Sequence, residues 1–289
     1  MMATSGGGPP SVGSNGSVGS CVGADFLRGM RSWTVTQGFS QRQPASSSLQ
    51  CFGYTFPMPQ SAVLSPQHFP DWTQIDDVLL DMDGTLLDRH FDNFFFEEEL
   101  PRRYATLHAI PFEEARDRLM TMYRSVEGEL AWTDLDYWTK RVGLDVVAMH
   151  KELDHMIGFL PGAEEFLRHL RQLGKPVTIV TNAHSTGVSV KVAKTGLDRY
   201  VNRIVDAFEV GYLKMRPEYW PNCQRLLGFD PSRSLFMDDD EGCLMAAKAF
   251  GVAHLVHSAK SSSQLPPALL PQFLSIAGFA PLLNGRSPA

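Results

Sequence analysis

Val78-Leu79-Leu80-Asp81-Met82-Asp83-Gly84-Thr85-Leu86-Leu87-Asp88 is the stretch on which the reading of this chain turns. Val78 to Leu80 is an apolar run of strand length that enters a turn carrying two carboxylates two positions apart. In extended chain, residues i and i+2 project the same way, so Asp81 and Asp83 can address one bound group. Gly84 then lets the backbone turn away without a Cβ penalty. Taken alone, the stretch could also be an acidic loop after an edge strand. An acid pair at a strand end followed by Gly-Thr suits phosphoryl chemistry better than packing.

Outward from this turn, residues 90–158 carry no strong strand signal. Phe112, Ala115, Leu119, Met122 and Val126 recur at helical intervals behind Pro111, and Leu135, Trp138 and Val142 suggest a second helix stopped by Gly143. This reads as a helical insert. From Pro161 the pattern alternates. Helical stripes (163–173, 188–192, 219–227, 244–250) end at Gly174, Gly196, Gly228 and Gly251, and strands fall at 176–180, 203–207, 234–237 and 252–256. Strands alternating with helices predict an α/β fold, a parallel sheet covered on both faces. The core is expected over 71–89 and 159–258, with the helical insert at 90–158. Residues 259–289 form a C-terminal tail whose apolar patch, Leu269 to Phe279, could pack as a helix.

The first seventy residues differ. They are rich in Gly and Ser, lack Lys, and hold one acid, Asp25, against Arg28, Arg31 and Arg42. Such a stretch cannot bury enough apolar surface to offset its ordering entropy. It could be an organellar transit peptide, the disordered tail of a cytoplasmic protein, or an upstream extension with Met58 as the true start. Across all 289 residues, 43% hydrophobic and 20% charged content is ordinary for a globular chain. The formal net charge of -6 argues against a basic nucleic-acid face. No apolar run approaches the roughly 20 residues that would span a bilayer. Cys21, Cys51, Cys223 and Cys243 lack metal-ligand spacing and read as free thiols.

In a parallel sheet, ligands bind beyond the C-terminal ends of the strands. Asp81 and Asp83 follow the first strand, Thr181 and Asn182 the second, Lys214 the third, and Asp238 and Asp239 the fourth. Singly, Thr181 is an ordinary strand end, Lys214 a solvated side chain and Asp238–Asp240 a charge cluster at a helix start. Together they bring two acid pairs, a hydroxyl and a cation to one rim. An ionised carboxylate attacks phosphorus without a base, which suits Asp81. Asp83 can protonate the departing alcohol and then take a proton from water. Countercharge would come from a magnesium ion on oxygen ligands and from Lys214, with Thr181 gripping phosphoryl oxygens.

Asp81-x-Asp83-Gly84-Thr85 resembles the first motif of the haloacid dehalogenase-like hydrolases. Thr181, Lys214 ahead of Pro217, and Asp238-Asp239 resemble the second, third and fourth. The resemblance implies a Rossmann-like fold with an all-helical cap of the C1 type closing over substrate. It implies Asp81, Asp83 and Lys214 as catalytic residues. It also implies Thr181, Asn182 and Lys214 as phosphate-binding residues. Magnesium would sit on Asp81, Asp239, Asp238 and Asp83, the last through its main-chain carbonyl. Leu79 to Asp92-Asn93, Leu135-Asp136-Tyr137-Trp138, Thr181-Asn182-Ala183-His184 and Thr195-Gly196-Leu197-Asp198 are similar to bacterial GMP/IMP-type 5′-nucleotidases, which implies a small phosphate ester, a purine nucleotide, as partner. Protein partners stay open. The sequence departs from the family at Lys214-Met215-Arg216-Pro217, where Pro commonly follows Lys directly and where Arg216 could add a cation. It departs again at Asp240, which adds negative charge where Ser is common. Among Phe91, Phe94, Phe95, Phe96, Trp132, Tyr137 and Trp138, most are expected to pack and one could stack on a purine. Phosphatases for sugar phosphates or phosphoglycolate, phosphomutases and a silent binding module share these motifs. A dehalogenase fits less well, since attack on a carbon–halogen bond leaves Asp83 without a role.

Overall fold

A computed structural model describes residues 70–283. The N-terminal expectations, Cys21, Cys51 and Met58 among them, lie outside the described residues, as do residues 284–289.

Six strands form one parallel sheet: β1 (Asp77–Leu80), β2 (Val177–Thr181), β3 (Arg203–Asp206), β4 (Ser234–Asp238), β5 (His254–Ser258) and β6 (Leu274–Ile276), in spatial order β3-β2-β1-β4-β5-β6. Strand alternation sorts the apolar side chains onto two faces. Val78, Leu80, Ile179, Leu235 and Met237 enter one core with α6 (Ala163–Gln172) and α7 (Ser185–Thr195). Leu79, Val180, Val205 and Phe236 enter the other with α9 (Tyr219–Leu227) and α10 (Glu241–Phe250). A single turn, α8 (Ala207–Val210), follows β3.

Between β1 and α6 every regular element is helical: α1 (His90–Phe94), a π-helical turn (Phe95–Glu99), α2 (Leu100–His108), α3 (Phe112–Ser125), α4 (Leu135–Val142) and α5 (Val146–Glu152), besides short 3-10 turns. These helices pack a core of their own around Phe95, Leu119, Tyr123 and Trp138. The sequence reading caught α3 and α4 and passed over α1, α2 and α5. The π-helical turn, on the run Phe94-Phe95-Phe96-Glu97-Glu98-Glu99, adds a residue to one turn and breaks the 3.6-residue stripe. Asp134 and Asp145 cap α4 and α5 through their side chains.

The C-terminal boundary needs correction. The patch that could have been a helix supplies strand β6, paired with β5 from Val256↔Leu274 to Ser258↔Ile276. The last turn, α11 (Ala280–Leu283), follows it, and Trp72 Nε1 donates to the Leu282 carbonyl at 3.2 Å. Three residues are too few to display alternation, and Leu269, which suggested the helix, is 60% exposed. Phe279 stacks on Phe166 with ring centroids 5.2 Å apart and an interplanar angle of 24°. Phe279→Ala should therefore destabilise the fold by about 3 kcal/mol, seen as a lower denaturant midpoint with an unchanged slope.

Candidate active site

The rim beyond β1, β2 and β4 is built by register. Leu80 pairs with Met237, and the Asp81 amide donates to the Met237 carbonyl at 2.9 Å, so Asp81 and Asp238 emerge side by side. Met82 turns into the core between its two acidic neighbours, as strand alternation requires. Gly84 has φ +88°, and a Cβ there would overlap the Asp239 carboxylate. The turn and the end of β4 thus approach as closely as glycine alone allows. The Ser258 hydroxyl fastens the turn by donating to the Gly84 carbonyl at 3.0 Å.

Lys214 reaches this rim from the loop after α8. Its Nζ donates to Asp81 Oδ1 and, at 2.7 Å, to Asp238 Oδ2, and all three side chains are buried. Burial opposes the lysine's charge, yet Asp238 and Asp81 hold its ammonium well above the usual lysine range. Burial pushes both carboxyls up, with Lys214 pulling them back down. Asp81 Oδ2, also buried, has no hydrogen-bond partner.

Two further cations stand here that the sequence reading did not assign. Arg89 Nη1 lies 2.5 Å from Asp239 Oδ2. Burial moves the Asp239 carboxyl up to about 7, with Arg89 pulling it down and Asp81 and Asp240 raising it. Lys191, on α7, lies 2.7 Å from Asp83 Oδ1 and 2.8 Å from Asp92 Oδ1. Burial raises Asp83 as well; Lys191 lowers it and Asp92 raises it. Arg89 follows an ordinary loop aspartate and Lys191 is one lysine of a helix, so neither has a local signal. The i, i+4, i+8 positions Gly187, Lys191 and Thr195 could have hinted that Lys191 lies on a packed face.

Carboxylate oxygens of Asp81, Asp238 and Asp239 lie within 4.8 Å of one another. Three hard carboxylate donors at that spacing, at the mouth of one cavity, fit a magnesium ion. The Asp83 side chain stands apart from this group, turned to Lys191.

The remaining expected residues divide. Thr181 is buried, its Oγ1 accepting from the Ala183 amide at 3.1 Å, and lines the same cavity. Asn182 lines it too, yet its side chain serves the Lys214 loop: Oδ1 accepts from the Lys214 amide at 2.8 Å, and Nδ2 donates to Cys243 Sγ at 3.8 Å. Trp220 Nε1 donates to the Lys214 carbonyl at 3.1 Å and fixes the loop from below. Arg216 is exposed and outside the cavity lining, which removes it as a second cation. Asp240 caps α10 through the Cys243 amide at 2.8 Å, so part of its charge is offset by a helix N-terminus. Cys223 and Cys243 are buried free thiols.

Opposite the carboxylates, the cavity wall comes from the helical insert: Phe96, Tyr123, Trp132, Leu135, Trp138 and His150. Burial, with Lys191 nearby, pushes the His150 imidazole down to about 3, and its Nδ1 donates to the Val146 carbonyl at 3.1 Å. Tyr123 and Trp138 are buried in the insert's core, whereas Phe96 and Trp132 stay half-buried.

An acidic rim at the C-terminal end of a parallel sheet, roofed by an inserted helical unit, is the architecture of an α/β enzyme for small molecules. Residues 75–251 match the haloacid dehalogenase-like hydrolases, and the chain belongs to that family. It is 36% identical over 183 residues to the GMP/IMP nucleotidase YrfG of Escherichia coli strain K12, covering 63% of this chain and 82% of that protein. A phosphoglycolate phosphatase of Pseudomonas syringae pv. tomato is 25% identical over 181 residues, covering 61% of this chain and 66% of that protein. The crystal structure of a HAD phosphatase from Thermococcus onnurineus superposes with a TM-score of 0.63 at 21% identity, covering 74% of this chain and all of that one, and bears on the fold alone. No helix among the described residues is long and apolar enough to cross a membrane.

The buried Lys214 makes a stability test. Lys214→Met leaves Asp81 and Asp238 facing each other without a cation, which should cost about 3–5 kcal/mol at pH 7. Their folded-state pKa values lie above the unfolded ones, so the penalty grows as pH rises from about 4 and flattens once both have ionised. Denaturant unfolding in chelator should show a smaller gap from wild type at pH 4.5 than at pH 7.

Proposed function

We propose that the chain is a magnesium-dependent phosphomonoesterase working through an aspartyl-phosphate, with purine nucleoside 5′-monophosphates, GMP and IMP, as substrates. The observation that carries the chemistry is the asymmetry of the Asp81 carboxylate. Lys214 holds Oδ1, while Oδ2 is buried and has no hydrogen-bond partner, as a nucleophile requires.

The residues divide the reaction as follows. Asp81 Oδ2 attacks phosphorus as the bond from phosphorus to the ester oxygen breaks. Asp83 gives its proton to that departing oxygen, and burial, which raises its pKa, favours carrying one. Asp83 then takes a proton from water as the water oxygen attacks phosphorus, which releases phosphate and restores Asp81. Thr181 Oγ1 and Lys214 Nζ bind and orient phosphoryl oxygens. Asn182 acts by fixing the Lys214 backbone. Asp81, Asp238, Asp239 and the Asp83 main-chain carbonyl would hold magnesium. Bound there, the ion supplies countercharge between an anionic nucleophile and a phosphate dianion.

The nucleotide assignment rests on two supports. The relative that is 36% identical is named a GMP/IMP nucleotidase, and the match runs over most of its length. The half-buried rings of Phe96 and Trp132 give the cavity an apolar wall on which a base can stack. A phosphoglycolate phosphatase would share every rim residue and leave that wall unfilled.

Asp81→Asn should lower turnover by more than about 10³-fold while the thermal transition stays cooperative. Phosphate release over nucleotides, sugar phosphates and phosphoglycolate should favour GMP and IMP; a flat profile would remove the nucleotide assignment and keep the chemistry. Below pH 7 Asp239 carries a proton that a cation must displace. Magnesium affinity, read by calorimetry, should therefore strengthen from pH 6 to pH 8, and a flat profile would count against Asp239 as a ligand.

A further inference from the structure

The geometry points to Lys191 as the positioning residue for Asp83, anchored from the far side by Asp92. This rests on the phosphomonoesterase reading above. Lys191 sits in the middle of α7 and is 4% exposed. Its Nζ meets Asp83 Oδ1 at 2.7 Å and both Asp92 oxygens, at 2.8 and 2.9 Å, with the Phe91 ring centroid 5.7 Å away. A buried ammonium needs one well-placed carboxylate to be tolerated. Here two arrive from different segments, the turn after β1 and helix α1 of the insert.

The arrangement matters because Asp83 has little else to fix it. Strand alternation gives the direction of its Cβ and leaves the carboxylate free to rotate. Its side chain is 20% exposed, against 7% for Asp81. Asp92, bonded to Lys191 through both oxygens, keeps the ammonium at one spot. Lys191 therefore selects the rotamer from which Asp83 hands its proton to the departing oxygen, and misplacing a group by about 1 Å can cost on the order of 10²-fold.

The test uses the leaving group. An aryl oxide departs without a proton and an alkoxide needs one. In the full chain, Lys191→Met with Asp92→Asn removes one charge of each sign: Asp83 loses its ammonium partner together with the carboxylate that repels it, and the net charge is unchanged. For this pair variant, kcat/KM for GMP should fall by about 10–100-fold, and that for p-nitrophenyl phosphate by less than about threefold. Lys191→Arg should recover part of the loss on GMP. Adding Asp83→Asn to the pair variant should cost nothing further on GMP. Equal losses on both esters would mean that Lys191 grips phosphate or merely supports the fold, and would overturn the inference. Additive loss with Asp83→Asn, or no loss at all, would overturn it too. A wild-type chain that hydrolyses neither ester sinks the phosphomonoesterase reading, and the inference with it.

Discussion

Two carboxylates side by side on adjacent strands, with one buried ammonium between them, set the terms for this molecule. The pairing of Leu80 with Met237 obliges Asp81 and Asp238 to emerge together, and Lys214 makes that register tolerable. The lysine is in turn held by its own backbone, through Asn182 at the amide and Trp220 at the carbonyl. Both backbone groups of Lys214 are thus anchored, in a stretch, Lys214-Met215-Arg216-Pro217, where proline does not follow the lysine directly.

The same logic extends around the rim. Asp81, Asp83, Asp92, Asp238 and Asp239 face Lys214, Lys191 and Arg89, and each cation comes from a different segment. Five carboxylates against three cations leave an excess of two negative charges when all are ionised, which is what a divalent cation would balance. Burial lifts the carboxyls of Asp81, Asp83, Asp238 and Asp239, the last to about 7. The site is thus built to be incomplete in charge and complete in geometry.

What the sequence discloses follows the range of the forces involved. The turn at Asp81–Gly84, the strand-end residues Thr181 and Asp238, and the glycines closing the helices are legible because their causes lie within a few residues. Strand alternation and the positive φ at Gly84 are local facts. Arg89, Lys191 and Asp92 are not legible. Lys191 meets Asp92 across a separation of 99 residues and Arg89 meets Asp239 across 150, and no periodicity records such a meeting. The bond from the Lys214 amide to Asn182 Oδ1 is not legible either, because a side chain on the rim can serve the loop beside it as readily as a ligand. Strand β6 failed for another reason: it derives its order from β5 and from the contact of Phe279 with Phe166, not from its own three residues.

The two sides of the cavity are held by different means, and this bears on how an ester enters. The floor is part of the sheet: Asp81, Thr181, Asp238 and Asp239 ride on or directly beside strands locked by a backbone ladder. The aromatic wall belongs to an insert with its own packed core, joined to the rest through contacts of which several are polar, Asp92 with Lys191 and Asp154 with Lys194 among them. Phe91 of α1 buries in the sheet-side core and Leu153 packs against both cores, so apolar contacts tie the insert to the sheet as well. An ester entering the cavity therefore meets the Phe96 and Trp132 rings and the carboxylate that anchors Lys191 on one unit, and the acidic rim on the other.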